Sequence, residues 1–361
     1  MTIPLSDVAA STSGDLPQLF SGDLRPYPGI PDDWSEAKRQ LAVNILFDVS
    51  HSFPHMRTET DPDADVEDFW EDAARLSAAW YATNGSRLVA KAPGTAETPW
   101  TADEMSRRLG PVDRVEDGGR HAVDKLVGHP LVRKYGGRGM LLGSIGGDPA
   151  TDIITWMVAR HRKFGVERAI VKATALKGGI WSIKLDLDPT VVEERLLEAL
   201  GWDYVRLEGL ADAVFVQDQL ELAYEYRLFV VDGEVISGAG CIEEFTPLDR
   251  NIDDGSFDTR VRKWRGPLAS YGRDATPSPV EYRIGTVAEL VKFGRKVASE
   301  HGGTVVIDVA FDGGTRGNAH RDSGHPVVIE LNTLPNSGLY ASNPWLVAEK
   351  LMTATDRGYL L

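Results

Sequence analysis

Residues 304–339 constrain this chain more than any other stretch. They read T-V-V-I-D-V-A-F-D-G-G, then a polar T-R-G-N-A-H-R-D-S-G-H, then P-V-V-I-E-L-N-T-L-P-N-S-G-L. Two β-branched runs, 305–311 and 327–331, flank a connection dense in Gly, Asp, Arg and Asn. That pattern predicts two neighbouring strands joined as a hairpin with a long loop. Few polar residues interrupt the runs: Asp308 in the first, Glu330 and Asn332 in the second. Glu330 and Asn332 are two apart, so a strand projects both to one face, and pairing brings Asp308 beside them. Two carboxylates and an amide oxygen on one face suit Mg²⁺, which takes one or two protein carboxylates and completes its shell with water and phosphate. The competing reading is a set of solvent-facing strand positions with nothing bound. Against it, burying a carboxylate in such apolar runs is unfavourable without a partner.

The run E-L-N-T-L-P (Glu330 to Pro335), preceded by a strand carrying Asp308, resembles the metal-binding end of ATP-grasp ligases, especially the D-alanine–D-alanine ligase branch. The resemblance implies that Asp308, Glu330 and Asn332 hold two Mg²⁺ ions, with Mn²⁺ able to substitute, against the phosphates of ATP. It also implies an α/β ATP-grasp fold, with two α/β lobes gripping ATP behind an N-terminal α/β domain.

At 361 residues the chain is long enough for two or three structural units. No apolar run reaches the roughly 18 residues needed to span a bilayer. The first residues lack the basic and long apolar segments of a secretory signal, and one cysteine, Cys241, cannot form an internal disulfide. Both point to a reducing cytoplasm and away from membranes. A net charge of −15 argues against nucleic acid and anionic lipid as partners. An ATP site here must therefore gather positive charge from a few lysines, arginines and metal ions.

Residues 1–30, rich in Pro, Gly, Ser and Asp, predict an extended arm. Asp32 or Asp33 caps a helix through 34–49. Val66, Phe69, Trp70, Ala73, Leu76 and Trp80 recur at helical spacing. A strand is expected at 86–91, and Thr101 with Glu104 forms a capping box for a helix ended by Gly110. Ile153, Ile154, Met157 and Val158 predict a helix stopped by Gly165. Thr190 is expected to cap another, closed by Gly201. Asp232-Gly233 marks a hairpin turn. Residues 243–279 are polar and long for a connection, with a basic island of Arg260, Arg262, Lys263 and Arg265. That island either closes over phosphates or substrate, or is a solvated charge run. One helix is expected over 279–300 with Ile284, Val287, Val291 and Val297 buried, and a last one after Ser342-Asn343-Pro344. His320 and His325 lack a zinc-type partner set and read as loop histidines.

Lys172 lies in an apolar strand ahead of Lys177-Gly178-Gly179 and a returning strand. Glycines there permit close backbone approach and anion contact through N–H groups. The alternative is a surface lysine on an edge strand before a plain turn. V-K followed by a Gly-rich loop resembles the phosphate-gripping hairpin of ATP-grasp enzymes, and Asp124-Lys125 resembles their earlier D-K, which implies that Lys125 meets phosphate. The resemblance places the adenine hinge at Gln217 to Leu220, with Gln217 or Asp218 standing where the family has Glu. It gives Glu225 the ribose hydroxyls. Arg227, on the same strand face, is expected to reach phosphate and serve catalysis with Lys172; its alternative is an exposed cross-strand ion pair. Two positions depart from the D-alanine–D-alanine ligases: Val306 stands where they carry an oxyanion Arg, and Asn336 where they carry Gly.

The domain boundaries expected are 1–115, 116–215 and 216–361, the last two being the small ATP lobe with its D-K segment and the C-terminal lobe with the metal site. The implied activity is an ADP-forming ligase that joins a small-molecule or peptide carboxylate to an amine through an acyl phosphate. The alternatives are a small-molecule kinase on the same scaffold and a non-catalytic nucleotide-binding protein. A homodimer is compatible with this reading.

Overall fold

A computed structural model describes residues 88–92, 112–117, 129–145, 148–173, 179–208, 214–245, 250, 255–265, 276–313, 324–332, 334 and 337–354. The expected helices in 34–49 and 66–80, the capping box at Thr101, and His320 lie outside the described residues. The expected strand at 86–91 is present as β1 (Leu88–Ala92), paired in parallel with β2 (Val112–Asp117).

Two four-stranded antiparallel sheets dominate the rest. The first has strand order β3-β6-β4-β5, from β3 (Met140–Gly143), β4 (Arg168–Ala173), β5 (Ile180–Lys184) and β6 (Val214–Asp218). Short α1 (Pro130–Tyr135) precedes it. Its core is covered by α2 (Asp148–Phe164) and α3 (Pro189–Leu200), followed by short α4 (Asp203–Leu207). Ile153, Met157, Val171, Ile183, Val192, Leu196 and Val216 form one apolar cluster there. Gly165 ends α2 at φ +68°, and Gly201 closes α3. The cap of α3 is Asp188 and not the expected Thr190; Asp188 Oδ1 accepts from the Thr190 N–H at 2.9 Å. Pro189 suits the first helical position because its missing N–H would have no intrahelical partner, and this places the cap on the residue before it.

The second sheet has order β12-β11-β7-β8, from β7 (Leu222–Val231), β8 (Glu234–Gly240), β11 (Val305–Asp312) and β12 (His325–Asn332). Asp232 and Gly233, at φ 48° and 74°, turn β7 into β8. Positive φ at both positions matches the right-handed twist of the flanking strands. β11 is central, and all but its last residue are buried, so its unbroken apolar run is what a doubly covered strand requires. A second core lies here, with Leu228, Val230, Val287, Leu290, Val291, Val297, Ile307 and Val328 packed together.

Two expectations are corrected in the region before β11. Residues 243–279 include β9 (Arg260–Arg262), which pairs with β10 (Val280–Tyr282). The helix expected over 279–300 therefore begins later, as α5 (Ile284–His301). Ile284 is 71% exposed rather than buried, because it opens the helix outside the apolar stripe of Val287, Val291 and Val297. The last helix, α6 (Pro344–Thr353), is capped by Asn343, whose Oδ1 accepts from the N–H groups of Trp345 and Leu346. Among the described residues no helix is long and apolar enough to cross a membrane.

β6 ends at Asp218 and β7 begins at Leu222, so a connection of Gln219, Leu220 and Glu221 passes from one sheet to the other. The boundary expected between 215 and 216 falls inside β6, because Val214 to Asp218 pair with β3 and β4.

Candidate active site between the two sheets

Strand register sets three charged side chains in a row across the second sheet. Asp308 on β11 pairs with Arg227 on β7 on one side and with Glu330 on β12 on the other. Directly opposed residues share a sheet face. Arg227 grips Asp308 with both arms of its fork, Nε to Oδ1 and Nη2 to Oδ2, each at 2.8 Å. Its remaining Nη1 donates to the Gly338 carbonyl at 3.2 Å. The pair is buried, Asp308 at 1% and Arg227 at 8% exposure, so Arg227 is in a buried cross-strand pair and not an exposed one. Burial alone would lower the Arg227 guanidinium pKa; the Asp308 charge outweighs it and holds the pKa well above its usual value. Asn332 closes the group, its Nδ2 donating to Glu330 Oε1 at 3.1 Å and Asp308 Oδ2 at 3.3 Å.

The first sheet reaches this row through Lys172. β4 is flanked by β5 and β6, so Lys172 sits on an interior strand, not an edge. Its Nζ bonds Glu330 Oε2 at 2.7 Å. This contact joins residues 158 positions apart and spans the two sheets. Burial tends to raise the Glu330 carboxyl, but the Lys172 charge and hydrogen bond, with Asn332 and Arg227, hold it well below the usual carboxylate range. A carboxylate whose folded pKa is lowered stabilises the fold above its unfolded value, and that contribution fades as pH falls below about 4. Lys172→Met is therefore expected to flatten the loss of stability on acidification, read from urea midpoints through the acid range. Parallel curves for the variant and the parent would count against the bridge.

Among the described residues, no three His, Cys, Asp or Glu side chains cluster as a metal site. The metal-capable set is two carboxylates with one amide. This donor set fits Mg²⁺: the oxygens are hard and few, leaving positions for water and phosphate. Asn332 presents Nδ2 to both carboxylates; turning the amide over presents Oδ1 instead. Lys172 and Arg227 neutralise the two carboxylates in this structure.

The positions expected to form the hinge are engaged by arginines that the sequence did not single out. Asp218 accepts from Arg160, Nε at 2.9 Å and also Nη2, and from the Gly139 N–H at 2.8 Å. Gln217 Oε1 accepts from Arg138 Nε at 2.8 Å. Leu220 is half-buried in the crossing. Glu225 Oε1 accepts from Arg265 Nη1 at 2.8 Å, and burial, outweighing Arg265, raises the Glu225 carboxyl. Arg265 also contacts Glu243 and the Tyr340 hydroxyl. Tyr340, at φ 47°, places its ring 5.1 Å from the Arg227 guanidinium and 5.9 Å from that of Arg265. Its phenol is pushed up, chiefly by burial. Within the basic island, Arg260 pairs with Asp258 and Arg262 with Glu244, so only Arg265 among these arginines turns toward Glu225. Gly179 immediately precedes β5, its carbonyl accepting from Ala173 N–H at 2.7 Å. Lys125, Lys177 and Gly178 lie outside the described residues. His325 opens β12 and is exposed. Arg138 and Gly139 stand in a K-Y-G-G-R-G run whose repeated glycines were the available signal; Tyr340 had none in the sequence.

No family model matches the sequence, and no curated protein matches it. Among solved structures the chain is similar to D-cycloserine synthetase DcsG, with 13% identity and TM-score 0.39, covering 87% of this chain and 95% of that one. It is similar to D-alanyl-alanine synthetase A from Vibrio cholerae, with 11% identity and TM-score 0.30, covering 62% of this chain and 56% of that one. The chain thus spans about half the length of that synthetase, as it does of the D-alanine–D-alanine ligase from Coxiella burnetii, at 55%. A third similar structure is ATP-grasp ligase PsnB complexed with minimal precursor, with 15% identity and TM-score 0.34, covering 69% of this chain and 68% of that one. Identity to each of these structures is low, between 11% and 15%.

Proposed function

We propose that this chain is an ATP-grasp ligase that joins a carboxylate to an amine, releasing ADP and phosphate. The observation that carries the reading is the Lys172–Glu330 contact at 2.7 Å. It sets a cation from one antiparallel sheet against a row on the other that holds two carboxylates and an amide. ATP lies between the sheets, with its base toward the crossing at 217–220 and its phosphates toward Lys172 and Arg227. The small lobe runs from 116 through the end of β6 at Asp218, and the C-terminal lobe from the crossing to 361.

Asp308, Glu330 and Asn332 would hold Mg²⁺, two ions in the full site with Mn²⁺ able to substitute. The metal, when bound, supplies charge neutralisation at the transferring phosphoryl group. Lys172 and Arg227 supply fixed cations that need no reorganisation as charge develops. A substrate carboxylate oxygen attacks the γ-phosphorus, and the bond to the ADP oxygen breaks. The amine then attacks the acyl carbon; the C–N bond forms, phosphate leaves, and the nitrogen loses its proton. Activation resides on the substrate itself, so no nucleophilic side chain is required. Cys241, the single thiol, is buried, and its pKa is pushed well up, chiefly by burial and next by Glu225, which makes it a poor nucleophile at neutral pH. Small-molecule or peptide acids and amines are the substrate classes.

Paired carboxylates and amines are screened for ADP release, with hydroxylamine added in place of the amine. A substrate acid is expected to yield a hydroxamate, and the natural amine to yield amide and phosphate in equal amounts with ADP. A stable phosphorylated product with no phosphate and no amide would overturn the ligase reading.

A further inference from the structure

β12 carries a bulge directly ahead of Glu330. In the β11–β12 ladder Asp308 pairs with Glu330, but Val309 pairs with Val328, leaving Ile329 as the extra residue. A bulge bends its strand and re-aims the side chains around it. It also disturbs the alternation by which successive carbonyls of a strand face opposite edges. β12 lies at the end of its sheet, so carbonyls turned outward there need a donor from elsewhere.

Arg138 provides it. Its Nη1 donates to Val328 O at 2.8 Å and its Nη2 to Ile329 O at 2.5 Å. Nη1 also donates to Gly136 O at 2.9 Å, and Nε to Gln217 Oε1 at 2.8 Å. One planar fork thus holds two consecutive carbonyls of the second sheet and a side chain of the first. The local chain is shaped for it: a Cβ at Gly136 would stand 3.0 Å from Arg138 Nη1 and would clash with the Val132 carbonyl. A Cβ at Gly139 would stand 2.5 Å from Arg160 Cζ. Burial lowers the Arg138 guanidinium to about 10, so it stays charged at neutral pH.

We propose that Arg138 is a positioning residue that fixes the bulge at Ile329 and thereby the aim of Glu330 toward Asp308, Asn332 and Lys172. The inference rests on the metal-site reading above and extends it to a residue that touches neither metal nor nucleotide. Gln217 steadies the guanidinium from the first sheet. Lysine is no substitute, since a single ammonium on a flexible stem does not reproduce a planar fork.

The test is calorimetric titration of ATP into the full chain with and without Mg²⁺, taking the ratio of the two affinities. Glu330→Gln is expected to abolish most of the gain from Mg²⁺. Arg138→Lys is expected to reduce it about tenfold, the usual size of effect for a group that orients a metal ligand, with the far-UV spectrum retained. Gln217→Leu, which loosens the fork without removing it, is expected to reduce it by a smaller factor. If Glu330→Gln lowers the gain while Arg138→Lys and Gln217→Leu leave it at the parent value, the positioning role is overturned and the metal site stands. If all three leave it unchanged, the metal site and the positioning role fall together. Should Arg138→Lys fail to fold, Gln217→Leu decides: a reduced gain supports the role and an unchanged one overturns it.

Discussion

Asp308→Ala is expected to destabilise the chain by about 3–5 kcal/mol, the typical cost of removing one partner from a buried ion pair. The size follows from what is left behind. Arg227 lies on β7 beside the central strand β11, and two of its three donor nitrogens point at Asp308. Without Asp308 the guanidinium keeps one hydrogen-bond acceptor, the Gly338 carbonyl, and the Tyr340 ring 5.1 Å away, at 8% exposure. Leaving a buried charge without its partner is more damaging than losing the contact itself. Replacing both residues tests this directly, because Arg227→Met with Asp308→Leu removes the charges together and leaves packed apolar side chains. The double variant is expected to recover most of the stability, as buried pairs often exchange for apolar residues at little cost, while ATP-dependent turnover stays lost. Urea unfolding of the parent, the single variants and the double variant gives the answer. A parent-like midpoint for Asp308→Ala would mean that Arg227 finds water or another acceptor.

How much of this was legible in the sequence divides by distance along the chain. Elements set by local pattern were readable: the apolar runs of β11 and β12, the Asp232-Gly233 turn, and the glycines that end α2 and α3. So was the convergence of Glu330 and Asn332, since alternation along one strand suffices. β10 was not, because V-E-Y is too short to carry a period and Pro279 invites a helix start. The partners of the candidate residues were hidden for another reason. Arg227 meets Asp308 across 81 positions and Arg138 meets Val328 across 190, and strand register, which fixes both, depends on the whole sheet. An arginine in an apolar strand announces that it needs a carboxylate but not which one. The basic island was left open between two readings for the same reason: the sequence does not show that Asp258, Glu244, Glu243 and Glu225 each take a share of its charge.

Glu330→Gln is expected to lower turnover by about a hundredfold or more, the scale of several kcal/mol that a bound cation contributes to phosphoryl transfer. The substitution changes charge and almost no volume, so packing of β12 against β11 should persist. It acts at two places at once. One carboxylate of the pair facing Asn332 becomes neutral, which weakens the hold on a hard divalent cation. The Lys172 contact also loses its charge, although a glutamine oxygen still accepts from the ammonium, so the bridge between the sheets becomes weaker without vanishing. Loss of the bridge alone would free Lys172 for phosphate and strengthen ATP binding in the absence of metal. Loss of the metal ligand would depress the rate and raise the Mg²⁺ concentration needed for half-maximal turnover. The two consequences therefore separate in one pair of measurements, ATP affinity without Mg²⁺ and ADP release across a Mg²⁺ series. The expected result is ATP affinity equal to or tighter than that of the parent, together with a depressed rate that added Mg²⁺ only partly restores. A rate near that of the parent with the same Mg²⁺ dependence would remove Glu330 from the metal site and leave it as the ion-pair partner of Lys172.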